Sequence, residues 1–312
     1  MDSAAETQFK NAFQILDAVF LALGLASNLF VCFIMTRCSL ARKSISNFYI
    51  LQLSVTEVVY RTVLAALKIY TVNGKRHLIS DTECKILILW PEAMCAAIFI
   101  LLAGIAMDRK KHIINPLKAM AMDKHRKTRI VFIWLFALTI SIPTSLTASV
   151  NPRLQLQNST EELLLLCLLP RGQLLSKISF TIYSLFGFVV PLAIILRSYY
   201  QIYIYLRERA KTRKLNASYI RSKYRALRMM VHIILSFLLS WGPVMCSTLA
   251  TVYGATVRIG DISVKHITIC ISLTSSIINP VIYSFGNVNF RSEVVRTFRS
   301  FILKVRWQRD LR

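Results

Sequence analysis

Charged side chains are absent from long stretches of this chain. Five stretches run for 19 residues or more without Asp, Glu, Lys or Arg: Ala18–Thr36, Ile130–Pro152, Ile178–Leu196, Met229–Val257 and Ile267–Phe290. A helix needs about 20 mainly apolar residues to cross the roughly 30 Å hydrocarbon core of a bilayer. Two more apolar stretches, Asn47–Tyr70 and Ile86–Met107, contain only a few charges. The sequence therefore predicts an all-α membrane protein with seven transmembrane helices.

The composition excludes two other classes of protein. Hydrophobic residues make up 55% of the 312 residues, which is too many for a disordered chain. Seven cysteines are too few for a small disulfide scaffold. A soluble all-α protein with seven buried helices is the remaining alternative. Since a soluble helix carries a polar stripe at helical spacing and Val231–Val244 has almost none, the membrane protein is favoured.

The basic residues predict how the chain is oriented. Four segments hold 27 of the 39 Lys and Arg residues and only five acids: Arg37–Ser46, Asp108–Arg129, Arg207–Arg228 and the tail after Phe285. Basic residues close to the ends of spans stay on the cytoplasmic side, so we expect the N-terminus outside and the C-terminus inside. The net charge of +24 also favours anionic membrane lipids as partners. Nucleic-acid binding is disfavoured because the basic residues are divided among four segments.

The domain organisation follows from these spans. We expect a short extracellular N-terminus at residues 1–14, without a removable signal peptide, and a seven-transmembrane domain at residues 15–285. Residues 286–312 should form an amphipathic helix and a short cytoplasmic tail. Within this region, Asn289–Leu303 alternates apolar residues with arginines, a pattern typical of a helix that lies along the inner membrane surface.

Several spans carry short polar or proline motifs. The third span ends in Asp108-Arg109-Lys110, and Cys84 precedes Arg109 by 25 residues. The other spans contain, in chain order, Asn28, Trp134, Pro191 with Tyr199, Phe237 with Trp241 and Pro243, and Asn279-Pro280 with Tyr283. This ordered series resembles the rhodopsin-like G-protein-coupled receptors over essentially the whole chain.

The resemblance implies an activation switch that couples to a heterotrimeric G protein. Its members are Asp108, Arg109, Tyr199, Phe237, Trp241, Pro243, Asn279, Pro280 and Tyr283. Arg109 would pair with Asp108 at rest and support the transducer on activation, when Tyr199 and Tyr283 would meet near it. Pro243 and Pro280 each remove a helical donor and kink a helix. The alternatives are a solvated interfacial Asp/Arg pair, an ordinary core indole at Trp241 and interfacial tyrosines.

Two exterior features are also expected. Cys84 at the head of the third span and Cys167 in the long exterior loop, on the oxidising side of the membrane, should form a disulfide. The alternative is a free Cys167 packed in the apolar run Leu163–Leu169. The sequence Asn158-Ser159-Thr160 is an exterior glycosylation acceptor.

A polar core is expected in the second and seventh spans. Glu57 stands where the resembled family usually has an Asp, and Arg61 follows four residues later on the same helical face. This pair would occupy the cavity in which many relatives hold a sodium ion, so sodium regulation is disfavoured. The remaining polar-core residues are Asn28, Ser275 and Ser276. The sequence has no metal-ligand spacing, phosphate loop or nucleophile triad, so we expect no resident metal, no cofactor and no enzyme activity.

The polar residues near the exterior ends of the spans bear on the class of ligand. Amine receptors of this family carry an Asp at the position of Pro91, so an amine is disfavoured, although Glu92 could supply a displaced carboxylate. The predicted pocket residues are Lys68, Glu92, Lys265 and His266, with snorkelling lysines as the alternative. Mixed charge under a long exterior loop favours a peptide, and Asn289-Phe290-Arg291 after the seventh span resembles neuropeptide-type relatives.

The sequence thus predicts a multi-pass plasma-membrane receptor that binds an extracellular ligand, a peptide in preference, and activates a heterotrimeric G protein. One alternative is a receptor of the same fold for a small lipid or amine-like ligand. Another is a transporter, which would show inverted repeats and broken helices in corresponding halves; no such repeat is visible in the sequence.

Overall fold

The computed structural model describes residues 3–43, 45–72, 80–117, 126–150, 167–212, 216–255, 258–259, 262–286 and 290–300. The first four spans are the helices Ser3–Arg37, Ile45–Val72, Asp81–Ile114 and Arg126–Leu146. The fifth span consists of Leu174–Ser184, a π-helical turn at Leu185–Val189 and Val190–Lys211. The sixth is Ala217–Val252, and the seventh consists of Val264–Leu273 and Ser275–Gly286. A one-turn helix, Leu40–Lys43, joins the first two spans, and residues 290–300 are helical.

Most of these helices suit a bilayer by length and composition. Among the described residues, five helices are long and apolar enough to cross one: Gln14–Arg37, Asp81–Ile114, Lys127–Leu146, Leu174–Lys211 and Ile234–Val252. Ile267–Ile282 is a shorter apolar helix. The second span, Ile45–Val72, carries Glu57 and Arg61 in its middle.

The helices pack as a bundle around the third span. This helix contacts the second, fourth and fifth spans, and the first span contacts the second and seventh. The sixth span contacts the fifth and seventh, which completes the ring. Between Ala93 and Ala106 nearly every residue of the third span is buried, as expected for a helix surrounded by others.

Large apolar side chains cover the outside of the bundle. On the fourth span, Phe132, Leu135 and Phe136 are exposed, whereas Ala137 and Ser141 on the opposite face are fully buried. An exposed apolar surface of this extent marks contact with lipid or another protein. The fourth span therefore presents large apolar residues on the outside of the bundle and small ones toward its interior.

One short hairpin lies in the connection between the fourth and fifth spans and another in the connection between the sixth and seventh. β1 (Ser149–Val150) pairs antiparallel with β2 (Cys167–Leu168), and β3 (Arg258–Ile259) pairs with β4 (Ile262–Ser263). A disulfide joins Cys167 to Cys84, with the two Cα atoms 5.3 Å apart. The Val150 N–H also donates to Asp81 Oδ1 at 3.0 Å. Both strands of the first hairpin are thus fixed to the head of the third span.

The fifth, sixth and seventh spans each contain a feature that departs from a regular α-helix, and Pro91 and Pro143 lie inside the third and fourth. Pro243 lies inside the sixth span and Pro280 inside the seventh, where each removes a backbone donor. The seventh span is also interrupted at Thr274. The Thr274 carbonyl accepts hydrogen bonds from the backbone N–H groups of Ile277 and Ile278, three and four residues later. The π-helical turn of the fifth span contains one more residue per turn than an α-helix.

The first helix extends into the N-terminal segment that precedes the apolar stretch of the first span. The first helix begins at Ser3, although its apolar, membrane-length part begins at Gln14. The polar residues before Gln14 are compatible with helix, and hydropathy reports only where the apolar part starts. At the other end, the helix at residues 290–300 buries Phe290 and places Phe298 against Phe30 of the first span, with ring centroids 6.1 Å apart.

Replacing Gly24 with Ala should destabilise the bundle. A Cβ at Gly24 would collide with Ser276 Oγ and lie 3.3 Å from Ser276 Cβ, so we expect a loss of about 1–3 kcal/mol from overpacking. Gly242→Ala is the matched control, because a Cβ there meets nothing within 4 Å and Ala favours a helix over Gly by about 1 kcal/mol. Thermal unfolding of the purified proteins would compare them; equal losses in both variants would contradict the packing argument.

Candidate functional site

An aromatic cluster links four spans in the middle of the bundle. Phe237 and Trp241 of the sixth span are buried, with ring centroids 5.9 Å apart. Phe237 also contacts Phe99 of the third span at 4.0 Å, edge to face, and Phe99 contacts Phe188 of the π-helical turn at 4.7 Å. Tyr60 of the second span lies 6.3 Å from Trp241. A displacement of any one of these rings would displace its neighbours, because packed interiors leave little free space.

Trp241 is also hydrogen-bonded to the break in the seventh span. Its Nε1–H donates to Ser275 Oγ at 3.1 Å, and the Ser275 hydroxyl donates to the Ser272 carbonyl at 2.9 Å. One residue away, the hydroxyls of Ser240 and Thr274 are 3.1 Å apart. The sixth span is therefore tied to the seventh where the seventh helix is interrupted. Sequence reasoning singled out Trp241 and Ser275 but not this bond.

The polar core places Glu57 and Arg61 together. The two side chains are fully buried, with Arg61 Nε 3.5 Å from Glu57 Oε2. The guanidinium also lies 5.2 Å from the centroid of the Tyr60 ring. Asn28 of the first span donates to the Gly24 and Ser276 carbonyls, both at 2.9 Å. A hydrogen bond from Asn28 thus joins the first span to the seventh, and the charged pair of the second span lies next to Tyr60 of the aromatic cluster.

The inner end of the third span places Asp108 beside His112 and Arg109 beside Tyr199. His112 Nδ1 lies 3.5 Å from Asp108 Oδ1, one helical turn away. Tyr199 of the fifth span and Asp108 are the titratable neighbours of the Arg109 guanidinium. The sequence-based expectation named Asp108 as the resting partner of Arg109 and did not include His112. Residues four apart share a helical face and adjacent ones do not, which explains the contact with His112.

In the half of the bundle that contains the disulfide, the structure places the predicted pocket residue Glu92 and adds two residues that the sequence did not single out, Tyr183 and Asp17. Glu92 is half-buried, and its backbone carbonyl accepts a hydrogen bond from the buried Tyr183 hydroxyl at 3.0 Å. Asp17 of the first span is buried and accepts the Cys270 S–H at 2.8 Å. Asp17 directly precedes the uncharged stretch Ala18–Thr36. Hydropathy therefore marks it only as the end of a span and gives no sign that its side chain is buried. Other predicted residues lie outside the described residues: Asn158 and the side chains of Lys68, Lys265, His266 and Tyr283.

Comparison with known proteins identifies the fold and family. A family described as "7 transmembrane receptor (rhodopsin family)" matches residues 27–283. The chain belongs to this rhodopsin family of seven-transmembrane, G-protein-coupled receptors. The receptor superposes on the crystal structure of squid rhodopsin with a TM-score of 0.73 at 20% identity, covering 93% of this chain and 85% of that one.

The receptor is also similar in sequence to several curated proteins. It is 26% identical to neuropeptide FF receptor 2 of Rattus norvegicus, over 91% of this chain and 72% of that protein. It is 26% identical to C-X-C chemokine receptor type 2 of Canis lupus familiaris, over 86% of this chain and 74% of that one. It is also 26% identical to melanopsin of Rattus norvegicus, over 88% of this chain and 58% of that protein. The receptor is thus an all-α, multi-pass membrane protein of a family whose members are receptors and not enzymes.

The bond between Trp241 and Ser275 can be measured as a coupling. Trp241→Phe keeps a ring but removes the N–H, and Ser275→Ala removes the acceptor. We expect each variant to unfold at a lower temperature, and the double variant to lose less than the sum, with a coupling of about 0.5–1.5 kcal/mol. Thermal unfolding of the wild type, the two single variants and the double variant completes a double-mutant cycle. Additive losses would show that the bond contributes nothing to stability.

Proposed function

We propose that this receptor lies in the plasma membrane with its N-terminus outside, binds an extracellular peptide and activates a heterotrimeric G protein. The observation that carries the proposal is that Trp241 contacts both the aromatic cluster and the interruption of the seventh span. The indole contacts the aromatic cluster through Phe237 and donates to Ser275 at the break of the seventh span. A ligand that favours one packing of this cluster would shift a two-state equilibrium.

The inner end supports the coupling step. Pro243 follows Trp241 by two residues, so a change in the packing of the indole acts at a point where the sixth helix lacks a backbone hydrogen bond. Arg109 and Tyr199 lie together below it. Outward movement of the sixth helix would open this end to a G protein, and a rigid-body movement of this kind is a known mode of switching. The basic inner segments supply the positive charge that sets the orientation.

The proposal of a peptide ligand is supported by the relatives and by the exterior loop. Two relatives are neuropeptide FF receptor 2 and neuropeptide Y receptor type 6, and a third is a C-X-C chemokine receptor. The hairpin that contains Cys167 is fixed to the third span at both strands, which leaves a shaped exterior surface above the bundle. A small lipid or amine-like ligand is the alternative, and the relative melanopsin, at the same 26% identity, has a name that states no peptide.

A screen in transfected cells tests the proposal. Peptide, lipid and amine libraries would be applied to cells that express the receptor, with second-messenger responses and nucleotide exchange on G proteins as readouts. We expect at least one peptide to give a saturable response in both assays. An antibody against an N-terminal tag should bind intact cells. Responses only to lipids or amines would overturn the peptide, and solute flux in receptor vesicles without nucleotide exchange would favour a transporter.

A further inference from the structure

At the end of the bundle that contains the disulfide, three contacts hold the sixth span. The Gly172 N–H donates to the Val252 carbonyl at 3.1 Å, which joins the loop after β2 to the last residue of the sixth helix. The hydroxyls of Thr181 and Tyr253 are also 3.1 Å apart, and Lys177 Nζ lies 5.5 Å from the centroid of the Tyr253 ring. The loop and the fifth span thus both contact the final turn of the sixth helix. We call these five residues the end anchor.

A buried apolar cluster lies next to the end anchor and is separate from the main core. It joins the loop to the third, fourth, fifth and sixth spans through Ala96, Ala97, Ala137, Ile140, Ala148, Leu169, Phe180, Tyr183 and Val252. Leu249 packs against this cluster, whereas Phe237 and Trp241 belong to the main core. The sixth span is therefore packed in two different clusters, one on each side of Pro243.

The fifth and sixth helices are both irregular between the end anchor and their other halves. Pro243 precedes Tyr253 by ten residues and leaves the sixth helix without one backbone hydrogen bond. The π-helical turn Leu185–Val189 begins four residues after Thr181. Prolines and π-bulges are the usual places at which helices bend. The anchored parts of the two helices can therefore stay in place while the other halves move.

The end anchor is also connected to the third span at the centre of the bundle. Cys167 precedes Gly172 by five residues and is disulfide-bonded to Cys84 at the head of the third span. Leu169, between the disulfide and Gly172, is buried in the apolar cluster. The end of the sixth helix is thus held to the third span through a short, packed segment of the loop.

We propose that the end anchor holds this end of the sixth span in place during activation, with Tyr253 as its positioning residue. The inference rests on the proposed function and adds what directs the movement of the sixth helix. With one end fixed, ligand binding shifts the half of the helix that precedes Pro243. Without the end anchor the whole helix would move as one body, and the half that faces the G protein would move less for the same ligand.

Tyr253→Ala tests the positioning role. Tyr253 is 55% exposed, so its replacement should leave folding intact. Binding of a peptide from the screen would be measured with and without G protein, because the ratio of the two affinities reports the coupling between the sites. We expect this ratio to fall by about threefold to tenfold, the scale for residues within a coupled network, while the affinity without G protein stays within about twofold.

Narrower variants identify the contact that is responsible. Tyr253→Phe and Thr181→Val each remove the hydroxyl contact, so each should lose less coupling than Tyr253→Ala, and the two together should lose no more than either alone. Thr251→Val is the matched control, because its hydroxyl donates to the Ser247 carbonyl within the sixth helix. An unchanged coupling in Tyr253→Ala, or an equal loss in Thr251→Val, would overturn the positioning role.

Hydrogen exchange of the ligand-free receptor tests the end anchor without any ligand. We expect Tyr253→Ala to speed amide exchange in residues 244–255 and 169–173 and to leave residues 234–241 unchanged. No change in residues 244–255, or an equal increase along the whole sixth helix, would overturn the proposal. A wild type that responds to no peptide would refute the proposed function instead, and the exchange pattern would still support or overturn the end anchor.

Discussion

Replacing Arg109 with Ala should reduce agonist-driven nucleotide exchange by about tenfold or more, the scale of a typical coupling free energy between two sites. The side chain lies at the inner end of the third span, its Nε is buried without a hydrogen-bond partner among the described residues, and it interacts with Tyr199 of the fifth span. This group is the one best placed to support a transducer in one state of the bundle. Exchange would be measured on membranes with a peptide from the screen.

Lys110→Ala is the matched control, because Lys110 carries the same charge on the next residue. We expect this variant to keep most of the exchange activity, and both variants to bind the peptide at normal surface levels. If Arg109→Ala left nucleotide exchange intact, the role assigned to Arg109 would be wrong. If Lys110→Ala reduced exchange equally, the loss would reflect removal of a positive charge from this end of the helix and not a specific role of Arg109.

Removing the disulfide should cost about 2–5 kcal/mol of folding stability, the usual range for a native disulfide. Cys84→Ser and Cys167→Ser should lose about the same amount, and the double variant should be no worse than either, because the three proteins lack one and the same bond. Surface expression and thermal unfolding would show the loss. Peptide binding should weaken further, since β2 is then held to the third span only through its partner strand and the Asp81 contact.

Cys246→Ser provides the comparison for this loss. Cys246 is an exposed, free cysteine of the sixth span, so its replacement should leave unfolding and binding nearly unchanged. Unequal losses in Cys84→Ser and Cys167→Ser, or a double variant with the sum of the two losses, would indicate that each cysteine acts through its own packing and not through the shared bond.

The spans and their family were predictable because the bilayer imposes strong rules. Charge cannot be spread freely through a membrane helix, so stretches such as Met229–Val257 stand out in the sequence alone. The pairing of Glu57 with Arg61 was also expected, since their spacing of four places both side chains on one helical face. In these cases a local rule acts on residues that are close in sequence.

The connections between helices were not predictable in the same way. The hydrogen bond from Trp241 to Ser275 joins residues 34 apart, and many serines in the seventh span were possible acceptors. The bond from Cys270 to Asp17 joins residues 253 apart. No proline lies at the interruption at Thr274, and the Thr274 hydroxyl is 3.1 Å from that of Ser240 in the sixth span, 34 residues away in the sequence. These features arise from packing of the whole bundle.

The extra residue in the π-helical turn Leu185–Val189 rotates the part of the fifth helix that follows it relative to the part that precedes it. Above it, Tyr183 faces the bundle, and below it Ser198 and Tyr199 do so. In a continuous α-helix one residue corresponds to about 100° of rotation, so a single-residue deletion here would swing the inner half away from Arg109 while leaving the outer half in place. An alignment that treats this helix as uninterrupted will therefore mispair one of its two ends with any relative that lacks the bulge.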